Sequence, residues 1–319
     1  MPEPRSKPNA TEQGAAFPDY ELAAAEYRDL VPKYSNMPDL DTLDIHSKQA
    51  QSCIANFRKA AGKSQMMIGQ PSGTSFYRVL TSMSAAGEWL IAYEGIDRSL
   101  RGNWKGGLED ATLIEKMSRH VGQVRSGYPI SVELETTALK TWWKVLKYHA
   151  EDPKALRAAG LWLDEMPENP IGDLIIDRRP KENPAGDDPI GHRLLPGLIP
   201  PTRALRQPPD INKAQIWEED HAYRWAARAA LAVLEFRHEH GEFPDTLPLL
   251  PTDRPPSVPR PLSTGQPKVG YDHSKTHFVV SLATHKGKSW DPPLTFIYDQ
   301  RDVDRVRQLG LGGESAFKQ

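Results

Sequence analysis

The chain has 319 residues, and its 40 Lys plus Arg stand against 42 Asp plus Glu for a formal net charge of -2. That length can bury a sizeable core unaided, and the charge balance argues against a general nucleic-acid binder, which carries a basic excess. Cys53 is the single cysteine, so neither an internal disulfide nor a thiolate zinc set is available.

The polar, proline-rich residues 1–19 read as a flexible lead-in without the apolar stretch of a secretory signal. Asn9-Ala10-Thr11 fits a glycosylation sequon, a triplet common by chance. Without a run of 18 apolar residues, no membrane span is expected. The expected location is cytoplasmic if Met1 is the native start, and extracytoplasmic or periplasmic if a signal or anchor has been removed.

Residues 20–165 read as a helical domain. A first helix is expected over 20–33, stopped near Pro32, and a second over 43–61, ended by Gly62. Cys53 falls among the apolar residues of the second, as a buried thiol would. Phe76, Leu80, Met83, Gly87 and Leu90 alternate steps of four and three, which aligns them on one helix face. Gly102 and Asn103 then supply a turn and an N-cap. Leu108, Ala111, Ile114, Met117, Val121 and Val124 form the next stripe, broken by Gly127 and Pro129. Leu134, Ala138, Trp142, Val145 and His149 form a third, widened by Leu139 and Leu146. Asp152-Pro153 opens a short helix with Leu156, Ala159 and Trp162. Short turns between these helices imply antiparallel neighbours, in a bundle or a helical-hairpin array.

Prolines crowd residues 166–210, so the reading there is an irregular connector. A long helix is expected over 211–239, with Ala222, Ala226, Ala229, Val233 and Phe236 on one face and a stop at Gly241 and Pro244. Residues 211–319 form the last predicted unit. After its helix the spacing changes to period two. Phe278, Val280 and Leu282 alternate with their neighbours, as do Leu294, Phe296 and Tyr298. With Lys268–Tyr271 these predict about three short strands in an antiparallel meander, then a short helix over 302–309. The fold class expected is therefore mainly α, with a small antiparallel sheet at the C-terminal end.

Gly62-Lys63-Ser64 and Gly287-Lys288-Ser289 end like phosphate loops, but Phe57 and Leu282 stand where the loop glycine belongs. Glu218-x-x-His221 matches half of a di-iron motif without a second copy. No G-x-S-x-G elbow and no H-E-x-x-H occurs. The acid–base candidates are Asp187, Asp188 and His192 in the proline-rich segment, and His238, His240 and Glu242 at the end of the long helix. A regular helix points His238 and His240 apart, so no metal site is expected there, and no cofactor is implied. Trp142 and Trp143 are adjacent on one helix, so one of them is a candidate for ligand or partner contact.

Two segments carry a resemblance. The first is Gly102-Asn103-Trp104-x-x-Gly107-Leu108 with Met117-Ser118-Arg119-His120 and Leu134. It resembles the helical-repeat-like region of a group of uncharacterised bacterial proteins. The second runs from Ala229 to Arg237, then Gly241-x-x-Pro244-x-x-Leu247, Pro259, Pro261-Leu262-Ser263-Thr264-Gly265-Gln266-Pro267 and Tyr271. It is similar to the C-terminal part of those proteins and to the end of the major pseudopilins of type II secretion. Arg260 stands where that pattern has Asp, and Thr284–Asp291 offers one carboxylate where pseudopilins carry a calcium loop. The resemblance implies a small sheet after the long helix and a place outside the cytoplasm, often with an N-terminal membrane anchor. It implies no catalytic residue.

The expectation is a non-enzymatic interaction or assembly protein of the bacterial cell envelope. It would have a protein partner, no nucleic acid, and a membrane link only through a missing anchor. A hydrolase using the 167–210 segment and the 238–242 cluster is the alternative. A small-molecule binder with tryptophans lining a groove is the third.

Overall fold

A computed structural model of the chain describes residues 15–31, 44–66, 74–124, 127–166, 213–247, 268–283 and 295–308. Among these the protein is mainly helical, with a three-stranded antiparallel sheet near the C-terminus. The helices are α1 (Phe17–Leu30), α2 (Lys48–Ala61), α3 (Thr74–Ala86), α4 (Ala92–Leu100), α5 (Trp104–Gly122), α6 (Tyr128–Lys147), α7 (Pro153–Glu165), α8 (Lys213–His240) and α9 (Gln300–Gln308). A π-helical turn, Gly87–Ile91, links α3 to α4. The strands are β1 (Lys268–His273), β2 (His277–Ala283) and β3 (Thr295–Asp299).

Local chemistry sets several helix ends. Val31 is extended, as a residue before proline must be, and α1 stops there. Ser47 Oγ accepts the Ala50 N–H at 3.2 Å, and Asp152 Oδ1 accepts the Lys154 N–H at 2.9 Å. Each such cap is worth about 1 kcal/mol. Asn103 Oδ1 accepts the Gly106 N–H at the start of α5. Gly102 (φ 84°) and Gly241 (φ 80°) reverse the chain after α4 and α8 in a left-handed conformation that suits glycine. α5 ends at Gly122, short of Gly127 and Pro129, and Pro129 lies in the first turn of α6, where its missing N–H costs nothing.

Contacts group the described residues into two compact units. The first holds 15–31, 44–66, 74–91, 113–124 and 127–135. Its core is Tyr20, Ala23 and Ala24 from α1, Cys53, Ile54 and Phe57 from α2, Leu80 and Met83 from α3, Leu90, and Ile114, Met117 and Val121 from α5. Small residues on α1 let α2 lie close. The Ala16 and Phe17 N–H groups bond the Gln65 and Met66 carbonyls at 2.8 and 2.9 Å, closing the α1–α2 hairpin at its open end. Ser118 and Ser131 each donate to the other's backbone carbonyl, at 2.7 and 2.9 Å, and so lock α5 to α6 with buried hydroxyls that are satisfied.

The second unit holds 92–112, 136–166, 213–247, 268–283 and 295–308. In it α7 and part of α6 share a core with α8 and the sheet. The sheet order is β1-β2-β3, with Tyr271 opposite Val280 and Phe278 opposite Tyr298. Phe278, Val280, Phe296 and Tyr298 are buried, as the period-two spacing predicts, and they join Trp142, Trp143, Leu156, Ala159, Ala226, Ala229, Ala230 and Val233 in one apolar cluster. Gly95 of α4 and Gly107 of α5 sit where these helices approach most closely. A Cβ on Gly107 would stand 2.7 Å from the Gly95 carbonyl oxygen and 2.8 Å from Val145 Cγ2.

Candidate functional site

Asp187, Asp188, His192 and the Thr284–Asp291 loop lie outside the described residues, as do the side chains of Trp217, Glu218 and His221. His238, His240 and Glu242 are all exposed at the end of α8. His240 stacks on Phe236, with ring centroids 4.0 Å apart, and its Nδ1 meets the Phe236 carbonyl at 2.9 Å. These are contacts within one helical turn. Among the described residues, the ligand atoms of His238, His240 and Glu242 do not converge on one point.

The tryptophan pair requires a correction. Neither ring is partly exposed: Trp142 is 0% and Trp143 5% accessible. Adjacent helix residues point about 100° apart, and here both directions lead into the core. Trp142 stacks on Trp162 at 6.0 Å and donates its indole N–H to the Ala159 carbonyl of α7 at 3.2 Å. Trp143 meets Phe278 and Phe296 edge-on and donates to the Ile297 carbonyl of β3 at 3.1 Å. The two rings clamp α6 between a helix and a sheet.

A buried polar constellation lies in the first unit. Tyr20 (α1) and His120 (α5) meet at 2.9 Å through the phenol oxygen and Nδ1, and His120 Nε2 faces the Lys63 carbonyl at 2.8 Å. A carbonyl only accepts, so Nε2 carries the proton and Nδ1 accepts from the Tyr20 hydroxyl. Tyr20 is fully buried and His120 is 5% accessible. Burial holds the His120 imidazole down at about 4 and pushes the Tyr20 phenol up. Around this centre, Lys63 Nζ pairs with Asp19 and also reaches the Ala15 carbonyl at 3.1 Å. The Lys63 ammonium, and next to it that of Lys59, keeps the Asp19 carboxyl below the usual range. Gln123 Oε1 accepts the Met66 N–H at 2.7 Å.

Cys53 is likewise buried. Its Sγ lies 3.4 Å from the Ala23 carbonyl, and burial pushes the thiol up to about 12. In the second unit the acidic side chains of α4 are matched by arginines. Arg98 Nε bonds Glu94 at 2.8 Å and its guanidinium lies 3.5 Å from Asp110, while Arg101 pairs with Asp97 at 3.0 Å. At the sheet, Arg237 donates to Tyr298 Oη at 2.5 Å and to Gln300 Oε1 at 2.6 Å, with its guanidinium over the rings of Phe243 and Tyr298. Its cationic head thus ties α8 to β3 and α9.

None of these clusters was readable in advance. Tyr20 and His120 are a hundred residues apart, and the one available signal was that each falls on an apolar helix face. Chemically, the arrangement favours holding over reacting. A useful general base titrates near the working pH, whereas His120 is neutral with both ring nitrogens engaged and Cys53 stays a thiol. No helix among the described residues is long and apolar enough to cross a membrane. In comparisons with known proteins, no family, curated protein or solved structure matches this chain.

Proposed function

We propose that this chain is a non-enzymatic protein-interaction or assembly protein, and that it works in the bacterial cell envelope. One observation carries the first part. Among the described residues, buried groups with chemical potential are held in unreactive states and spent on ties between helices: Tyr20 with His120, Cys53 with Ala23, Arg98 with Asp110. Such a scaffold presents surfaces. On the solvent side of the sheet Ile297 is 49% accessible and lies opposite Val279, leaving an apolar pair available for contact. The envelope assignment rests on the pseudopilin-like segment alone.

Crosslinking mass spectrometry on the full chain in extracts of its source cells tests the first part. The expected result is one reproducible macromolecular partner whose crosslinks survive moderate salt. A survey without any specific partner would count decisively against this reading. Cell fractionation tests the second part, with the chain expected in the envelope or periplasmic fraction rather than the cytosol.

A further inference from the structure

The Tyr20–His120–Lys63 relay joins three separate segments through one imidazole. Tyr20 belongs to α1, Lys63 to the loop after α2, and His120 to α5. The α1–α2 hairpin therefore reaches α5 at a centre where the Tyr20 hydroxyl bond requires an unprotonated Nδ1. A second proton can enter only at Nδ1, where the Tyr20 hydroxyl now donates. The hydroxyl would have to turn and find another acceptor at a fully buried position.

The charged groups facing the ring make matters worse. On its own helix they are Arg119 and Lys116, both cations. Arg119 is paired with Glu115 at 2.7 Å, one turn back. From the loop after α2 comes Lys63, whose ammonium pairs with Asp19 of α1. From α1 itself the ring meets Tyr20, with an edge-on contact at 5.7 Å.

We propose that this relay is an acid-released latch, which holds the α1–α2 hairpin on α5 at neutral pH and lets it go as the medium acidifies. Release uncovers Tyr20, Phe57 and Met66, all buried in the latched form. The sign follows from linkage. His120 is held near 4 in the folded state against 6.5 for an ordinary histidine. The open state therefore binds the extra proton first, and stability present above 6.5 is lost as pH falls toward 4. Between pH 8 and pH 5 this one group raises the opening constant roughly 30-fold.

Hydrogen exchange on the full chain reads this directly. Opening constants for α1 and α2 peptides, corrected for intrinsic exchange, are compared with those for β2 and β3 between pH 8 and pH 5. In the wild type the α1–α2 peptides are expected to open about 30-fold more often at pH 5, with β2 and β3 lagging. In H120Q, whose amide keeps one acceptor and one donor but does not titrate, that rise should vanish. An equal rise in H120Q, or no rise in the wild type, overturns the latch. If H120Q does not fold, imidazole nitrogen shifts in the wild type decide. The Nε2–H tautomer should persist until the hairpin amides lose protection. A ring that charges near 6.5 while those amides stay protected overturns the proposal equally.

Discussion

Gly107 offers a sharp test of the helix packing, because a single methyl group there meets backbone. In Gly107→Ala the new Cβ would lie 2.7 Å from the Gly95 carbonyl oxygen and 2.8 Å from Val145 Cγ2. Normal contact is near 3.5 Å or more, and the Gly95 carbonyl belongs to a helix and cannot rotate away. α4 and α5 must move apart, at an overpacking cost of about 2–3 kcal/mol. Alanine returns about 1 kcal/mol of helix propensity. The net expectation is a destabilisation of about 1–2 kcal/mol. Gly160 in α7 is the control: its Cβ would have Leu231 Cδ2 at 3.5 Å and Glu235 Oε1 at 4.0 Å, both ordinary contacts. Gly160→Ala should therefore stabilise by about 0.5–1 kcal/mol. Urea unfolding followed by the fluorescence of Trp142, Trp143 and Trp162 reports on this unit's core. A Gly107→Ala protein as stable as the wild type would refute the close-crossing argument, whatever the control does.

Three further outcomes are expected. Trp143→Phe keeps an aromatic ring in the core but strips the donor from the Ile297 carbonyl, and should cost about 1–3 kcal/mol in the same urea assay. Asp152→Ala removes the N-cap of α7 and should lower stability by about 1 kcal/mol, measured by thermal melting. Cys53 titrates near 9 when unfolded and about 12 when folded; its contribution is intact below 9 and lost as pH rises toward 12. Thiolate absorbance at pH 10 should accordingly be absent from the native protein and emerge on adding urea, and immediate native absorbance would show that the thiol is not buried.

Periodic burial made the fold class readable. Leu80, Met83 and Leu90 repeat at helical steps and are buried in the first unit, while Phe278 with Val280 and Phe296 with Tyr298 alternate as strands and are buried in the second. Asn103, Asp152 and Gly241 marked helix ends because their preference is local. What pattern could not supply was anything depending on two distant segments. The π turn at Gly87–Ile91 preserves the three-four stripe, so it leaves no mark in spacing. The partners of Trp142 and Trp143 depend on which elements flank α6, and adjacency alone suggested exposure for one of them. Tyr20 and His120 stand a hundred residues apart in the chain, and only the packing of the hairpin brings them together. The exposed cluster at His238, His240 and Glu242 was conspicuous in composition, yet it sits on a solvated helix end.

Trp143 also bears on how this small sheet could grow. β3 lies at one margin of the sheet, and Ile297 is its middle residue. The Ile297 carbonyl, engaged by the indole N–H, is withdrawn from the row of acceptors that an incoming strand would need. Lateral recruitment along β3 is thus plugged at its midpoint by a side chain anchored in the helical core. Stacking of copies through that margin would first have to pull the indole out of its aromatic nest.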